Sequence, residues 1–372
     1  MKMRINIMNV KKKIKRKVTY VAVILLVLML LSLTGCENSK DTSKSSGADS
    51  GTTNTTSGSE EQEETRDVFA MDTYMTLKAY GEYAKEALDQ AEAEITRLDK
   101  LWSVGESDSE VSQLNKKKEA KVSDETMQLL LYAKEVSEAT DDAFDITIYP
   151  LMELWGFTTQ KYKVPTEAEI KEKLTMVNMD YVEIDRDTNT VRLKGDAEID
   201  LGGVAKGYTS QKVAEIFQKV GVEHGVVSLG GNVQAIGTKT DGSRWKVGIQ
   251  APDDSMDMVG SYEAEDESVI TSGGYERYFE KNGKTYHHIL DPKTGYPSDA
   301  DLTSVTIISK DGTMADCLST TLFVMGKDKA EAYWKKHKEE FDMILVDKDS
   351  NIYISEGIQD RFTSDYKYSV VK

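Results

Sequence analysis

Residues 182–220 read VEIDRDTNTVRLKGDAEIDLGGVAKGYTSQKVAEIFQKV. Val182–Ile184 and Val191–Leu193 are short β-type runs flanking Asp187-Thr188-Asn189, residues that favour a hairpin turn. After a turn or strand at Ala197–Ile199, the glycine-rich stretch Asp200–Gly207 leads into Lys206–Val220, where apolar residues recur at helical spacing.

The same periodicity predicts helices over Tyr83–Leu101, Asp124–Glu138, Glu167–Leu174 and Thr313–Met325. Strands are expected at Val226–Leu229, Lys246–Ile249, Ser304–Ile308, Met343–Val346 and Ile352–Ile354. Helices beside mostly hairpin-connected strands indicate an α+β fold. Composition is continuously globular over 67–372, with no second low-complexity linker and no internal repeat, which reads as one domain with two lobes.

The segment before it has a different character. Residues 1–35 hold eight basic side chains and no acid, with an apolar run from Val18 to Leu33, the pattern of a secretory signal. The run is short for a membrane span, and it ends in Leu33-Thr34-Gly35-Cys36, which resembles a bacterial lipobox. That likeness implies cleavage before Cys36 and lipidation of its sulfur, so that acyl chains anchor the protein to the outer face of the cell membrane. Residues 37–66 contain no aromatic or branched aliphatic side chain and are expected to be a disordered tether. Loss of the leader takes the formal net charge of −17 eight units lower, to −25. So acidic a body repels phosphate backbones, which argues against a nucleic-acid partner. With Cys36 committed to lipid, Cys317 has no partner for an intrachain disulfide and reads as a small buried hydrophobe.

Five segments carry candidate chemistry. Asp200–Gly207 can bring backbone N–H groups and the charge of Lys206 to an anion, although taken alone it is better explained as a tight turn with a helix cap. Asp316 and Thr320, four apart, share a helix face and offer the hard oxygens that Mg²⁺ accepts; the competing account is an N-capping Asp and a Thr bonded back into its helix. His287 and His288 end a strand before the rigid turn Asp291–Gly295, and alternation sends them to opposite faces, so that one can act as a general base. Ala143-Phe144-Asp145, with Trp155 downstream, sets an aromatic beside a carboxylate, which suits a flavin or adenine ring as well as a core. In Thr271–Tyr278 the hydroxyls and Arg277 can face phosphate.

The order and wording of these motifs resemble the ApbE family of FAD:protein FMN transferases in its lipoprotein form. The likeness runs through Met71-Asp72-Thr73, Ser109–Asn115, Ala143–Thr147, Asp200–Tyr208, Ser228–Asn232, Thr271–Gly273, His288–Pro297 and Ala315–Thr320. Asp72 and Gly274 depart from the usual pattern. The resemblance implies one α+β catalytic domain with FAD between two lobes. It assigns flavin binding to Met71, Ala143, Phe144, Asp145, Asp200, Lys206 and Ile289, and Mg²⁺ to Asp316, Thr320 and the Gly203 carbonyl. It makes His288 the base that activates an acceptor threonine, with AMP and a protein-bound FMN as products. If water took the place of threonine, the chain would be an FAD pyrophosphatase. A lipid-anchored solute-binding protein is the alternative from another class; it calls for two similar α/β lobes and has no need of Asp316, Thr320 or His288.

Overall fold

The computed structural model describes residues 62–252 and 258–372. The proposed signal, Cys36 and nearly all of the tether lie outside them.

In chain order the elements are β1 (Glu63–Ala70), β2 (Thr73–Tyr80), α1 (Ala84–Trp102), α2 (Glu110–Lys117), β3 (Glu119–Lys121), α3 (Asp124–Ala139), α4 (Tyr149–Trp155), α5 (Glu167–Leu174), β4 (Val182–Asp185) and β5 (Thr190–Leu193). There follow α6 (Ala205–Val220), β6 (Gly225–Leu229), β7 (Asn232–Ile236), β8 (Trp245–Gln250), β9 (Met258–Ala264), β10 (Ser268–Gly273), β11 (Tyr278–Lys281), β12 (Lys284–His287) and β13 (Leu302–Ser309). The chain ends with α7 (Gly312–Met325), α8 (Lys327–Trp334), β14 (Asp342–Asp347), β15 (Ile352–Ser355), β16 (Phe362–Thr363) and β17 (Tyr368–Val371).

A nine-stranded sheet in the order β1-β2-β6-β7-β10-β13-β14-β15-β17 is the frame. Its pairs are antiparallel except β15 with β17. Alternation decides which face is dry: along β2, Met75, Leu77 and Ala79 are buried while Tyr74 stands out in solvent. Those residues meet Ala84, Leu88, Ala91 and Ile95 of α1 and Val213 and Phe217 of α6. Full burial of a side chain the size of Leu88 or Phe217 contributes about 1.5–3 kcal/mol, and this joint fixes where α6 begins. A second sheet, β16-β9-β8, packs Trp245, Ile249 and Tyr262 against Val269, Ile308, Ile344 and Ile354 of the large sheet.

The smaller lobe combines α3 with the sheet β3-β5-β4 around Leu130, Val182, Val191 and Leu193. Tyr208 of α6 and Cys317 of α7 enter this core, so those two helices serve both lobes. The lobes are unlike each other, contrary to what a solute-binding protein required. Cys317 is fully buried and burial raises its thiol pKa, in keeping with a packing role.

β1 starts at Glu63, four residues before the expected boundary at Asp67, because Glu63–Arg66 pair with Leu77–Tyr80. The pairing partner, not local apolarity, makes this segment a strand.

Candidate active site

Asn115 is buried and grips the strand-like approach to the glycine loop with both ends of its amide, donating to the Ile199 carbonyl at 2.8 Å and accepting from the Ile199 N–H at 2.7 Å. The next residue, Asp200, donates its N–H to the Ile146 carbonyl at 2.8 Å, tying the loop to the Ala143–Thr147 segment. A Cβ on Gly203 would stand 3.0 Å from Phe144 Cε2, so the aromatic ring lies against the loop backbone. Phe144 and Ala143 are both buried. Asp145 caps the short turn Ile146–Ile148, its Oδ1 accepting from Thr147 N at 2.7 Å and Thr147 Oγ1 at 2.6 Å. Trp155 is fully enclosed and donates to the Gly295 carbonyl at 2.9 Å, so it belongs to a core rather than to a ligand face.

The loop ends at Val204, which offers no side-chain cap to α6. The cap comes from α7: the Gly207 N–H donates to Asp316 Oδ2 at 2.8 Å. Asp316 therefore sits against the positive end of the α6 dipole. Its Oδ1 accepts from Asn232 Nδ2 at 3.1 Å, and Asn232 is delivered by the tight Gly230-Gly231 turn between β6 and β7. The N-cap of α7 is Asp311, which accepts from Met314 N at 2.9 Å. The hydroxyls that bond back into the helix are those of Thr321, to the Cys317 carbonyl at 2.7 Å, and Ser319, to the Asp316 carbonyl at 2.9 Å. Asp316 thus caps α6 and not its own helix, whose N-cap is Asp311, and among the described residues no bond runs from Thr320 back into α7. Thr320 Oγ1 is instead 3.2 Å from Ser272 Oγ of β10.

His287 and His288 diverge as alternation requires. His287 Nε2 lies 3.2 Å from the Ser298 carbonyl, and its ring meets Phe323 edge to face. His288 turns the other way, its Nδ1 3.2 Å from the Arg277 carbonyl. The adjoining Ile289 is buried, and its carbonyl accepts from Ser298 N at 2.9 Å. Met71 occupies the β1–β2 turn at φ 50°, and Thr209 Oγ1 of α6 approaches its sulfur at 3.8 Å.

Desolvation by the surrounding protein raises the Asp200 pKa, against the Gly202 N–H, Arg277 and Lys206, and raises that of Asp145. The same desolvation, helped by the cations Arg277 and Lys206, pushes His288 down to about 3. Glu276, which the sequence did not single out, is open to water yet walled by protein, and this raises it to about 7; Asp316 adds to the rise while Lys206 and Arg277 oppose it. Each effect disfavours the charged form, as partial loss of hydration does.

Among the described residues no cluster of three His, Cys, Asp or Glu side chains forms a metal cage. The donor set that is present fits Mg²⁺, which binds through one or two carboxylates and completes its shell with water and substrate phosphate. Asp316 retains lone pairs beyond its two hydrogen bonds, with the Thr320 hydroxyl one helical turn away on the same face.

A glycine loop, a capping carboxylate and a neutral histidine are groups that suit phosphate-ester or anhydride chemistry. Residues 71–345 match the ApbE family, and the chain belongs to it. The FAD:protein FMN transferase of Klebsiella pneumoniae (strain 342) is 37% identical over 283 residues, covering 74% of this chain and 87% of that protein. The ApbE protein of Thermotoga maritima superposes with a TM-score of 0.76 at 33% identity, across 81% of this chain and 99% of that one. The flavin transferase ApbE from Vibrio cholerae gives a TM-score of 0.72 at 26% identity, over 81% and 99%.

Proposed function

We propose that this chain is an Mg²⁺-dependent FAD:protein FMN transferase that moves FMN from FAD onto a threonine hydroxyl of an extracytoplasmic acceptor protein and releases AMP. The observation that carries this reading is the convergence of Lys206, Arg277, Asp200 and His288: both cations act on both of the other groups, although the four come from three separate segments, Asp200 and Lys206 sharing the glycine loop. Met71, Ala143, Phe144, Asp145, Asp200, Lys206 and Ile289 would hold FAD. Asp316, Thr320 and the Gly203 carbonyl would hold Mg²⁺, which when bound supplies positive charge to the pyrophosphate.

The role of His288 follows from its tautomer. A carbonyl carries no proton, so the neutral imidazole keeps its proton on Nδ1, toward Arg277 O, and leaves the Nε2 lone pair free. Nε2 takes the threonine proton as the threonine oxygen bonds to the FMN phosphorus. The bond between the FMN phosphorus and the bridging oxygen breaks, and its electron pair stays on that oxygen, which departs as part of AMP. Phosphoryl transfer of this kind requires alignment and charge more than covalent assistance.

The leader, Cys36 and the polar tether support a lipid anchor on the outer face of the membrane, and among the described residues no helix is long and apolar enough to cross one.

The test incubates the protein with FAD, Mg²⁺ and a lysate of the same cells, followed by a denaturing gel read for flavin fluorescence. Fluorescent acceptor bands are expected. His288→Asn should lower the transfer rate about 10²–10⁴-fold with little effect on FAD affinity, while His287→Asn leaves transfer nearly intact. FMN and AMP released with no labelled band would favour the pyrophosphatase instead, and loss from His287→Asn alone would reverse the assignment of the base.

A further inference from the structure

Arg277 and His288 stand opposite each other at the open end of the β11–β12 hairpin, one step beyond the Tyr278–His287 pair. The Arg277 carbonyl receives two donors from His288, the backbone N–H at 3.0 Å and ring Nδ1 at 3.2 Å. The position of that carbonyl therefore sets both the orientation and the tautomer of the ring.

The Arg277 side chain is fastened in turn. Its Nη2 donates to the Phe157 carbonyl at 2.7 Å, a contact between residues 120 apart in sequence. Phe157 is buried just after α4, where Gly156 at φ +85° ends the helix; a Cβ at Gly156 would lie 2.3 Å from the Lys161 carbonyl, so only glycine turns the chain this way. The Phe157 ring meets the His288 ring edge to face at 6.3 Å and 67°. The contacts close a circuit: the Arg277 side chain holds Phe157, the Phe157 ring borders His288, and the His288 ring returns to the Arg277 main chain.

The geometry points to Arg277 as a positioning residue for His288, its guanidinium anchoring to Phe157 so that its own carbonyl holds the imidazole with Nε2 bare toward the cleft. This assignment rests on the transferase reading for its consequence in catalysis, but the ring state it describes is observable without turnover. The hairpin already packs Phe279 and Tyr286 against Trp155 and Phe157, and the charge-assisted hydrogen bond from Arg277 adds a directional tether at the end that carries His288.

The chain contains four histidines, so full-length protein labelled with ¹⁵N only at histidine gives four ring systems, and His288→Gln identifies the one in question. In the wild type, His288 should show protonated Nδ1 and unprotonated Nε2. In Arg277→Met its two nitrogens should move toward values averaged over both tautomers, while the other three histidines keep theirs and report an intact fold. Arg277→Lys, retaining one donor and the charge, should restore the wild-type pattern in part. In the transfer assay Arg277→Met should lower kcat on the order of 10-fold or more, with KM for FAD nearly unchanged. An unaltered His288 spectrum in Arg277→Met overturns the proposal, as does a raised KM at constant kcat, which would make Arg277 a phosphate-binding group. Absence of labelled acceptor with the wild-type protein is a different failure: it removes the transferase reading and leaves the ring spectra to decide the positioning.

Discussion

The Asp316 carboxylate and the Gly207 amide meet at 2.8 Å across the crossing of α6 and α7, a contact that closes the exposed end of one helix with a side chain of the other. It is possible because Gly207 has no side chain. An added Cβ would stand 2.1 Å from the Gly312 carbonyl oxygen and 2.5 Å from Asp316 Cβ.

Gly207→Ala is therefore expected to destabilise. Alanine gains about 1 kcal/mol of helix propensity over glycine. Contacts this short with backbone and with the first carbon of a buried side chain cannot be relieved by a rotamer change, and overpacking costs typically about 1–3 kcal/mol or more. Thermal melting should show a lower midpoint, and transfer should fall because Asp316 is displaced. A melting temperature equal to or above that of the wild type would mean the helices separate without penalty.

Asp316→Ala should abolish nearly all turnover while FAD still binds weakly, since Phe144 and the glycine loop lie on other elements. It also leaves the Gly207 N–H and the buried Asn232 amide without their acceptor, at about 1–3 kcal/mol for each unsatisfied group. Flavin fluorescence measures the first effect and denaturant unfolding the second. Wild-type activity of this variant at limiting Mg²⁺ would contradict the metal assignment.

Glu276 gives a pH dependence of definite sign. Its carboxyl ionises near 4.5 in the unfolded chain and near 7 in the folded one, so between those values the native state holds more protons. Stability from this group is thus present below pH 4.5 and lost as the pH rises through 7. Glu276→Gln should raise the melting temperature at pH 8 relative to the wild type and make no comparable difference at pH 4. Parallel curves at both pH values would show that the carboxyl titrates normally.

Much of this architecture was legible because periodicity reports which face of an element is dry. Glu167–Leu174 is a helix as expected, and Lys206–Val220 begins one residue earlier, at Ala205. The helices Glu110–Lys117, Tyr149–Trp155 and Lys327–Trp334 were missed; length alone does not account for this, since Glu167–Leu174 also has eight residues but announces itself with the Thr166–Glu169 capping box. The motifs announced Asp316, Thr320 and His288, but nothing in the chain says that Asn232 meets Asp316 or that Ser272 meets Thr320, since these contacts depend on the order of strands in the sheet. Glu276 was hidden for a similar reason. It lies within Thr271–Tyr278, where the hydroxyls and Arg277 carried the reading, and only the protein packed around it, with Asp316 nearby, makes its carboxyl unusual.

Cys36→Ser should leave an uncleaved precursor, or release the protein without lipid, because the sulfur at the end of Leu33–Cys36 is the proposed acceptor of the acyl chains. Labelled palmitate should enter the wild type and be absent from the variant; label in the serine form would place the modification elsewhere.

The nine-stranded sheet has β1 at one edge and β17 at the other, with β10 at its centre bridging β7 and β13. A chain emerging from its N-terminus thus acquires the glycine loop and Phe144 well before the helix that carries Asp316. A polypeptide arrested before Gly312 exposes the uncapped start of α6 and lacks the surface that buries Ile270 and Ile289. Pairings over such sequence distances form late, after the entropy of closing long loops has been overcome. The site therefore cannot assemble before α7 has been made, and a chain arrested before Gly312 is expected to transfer nothing.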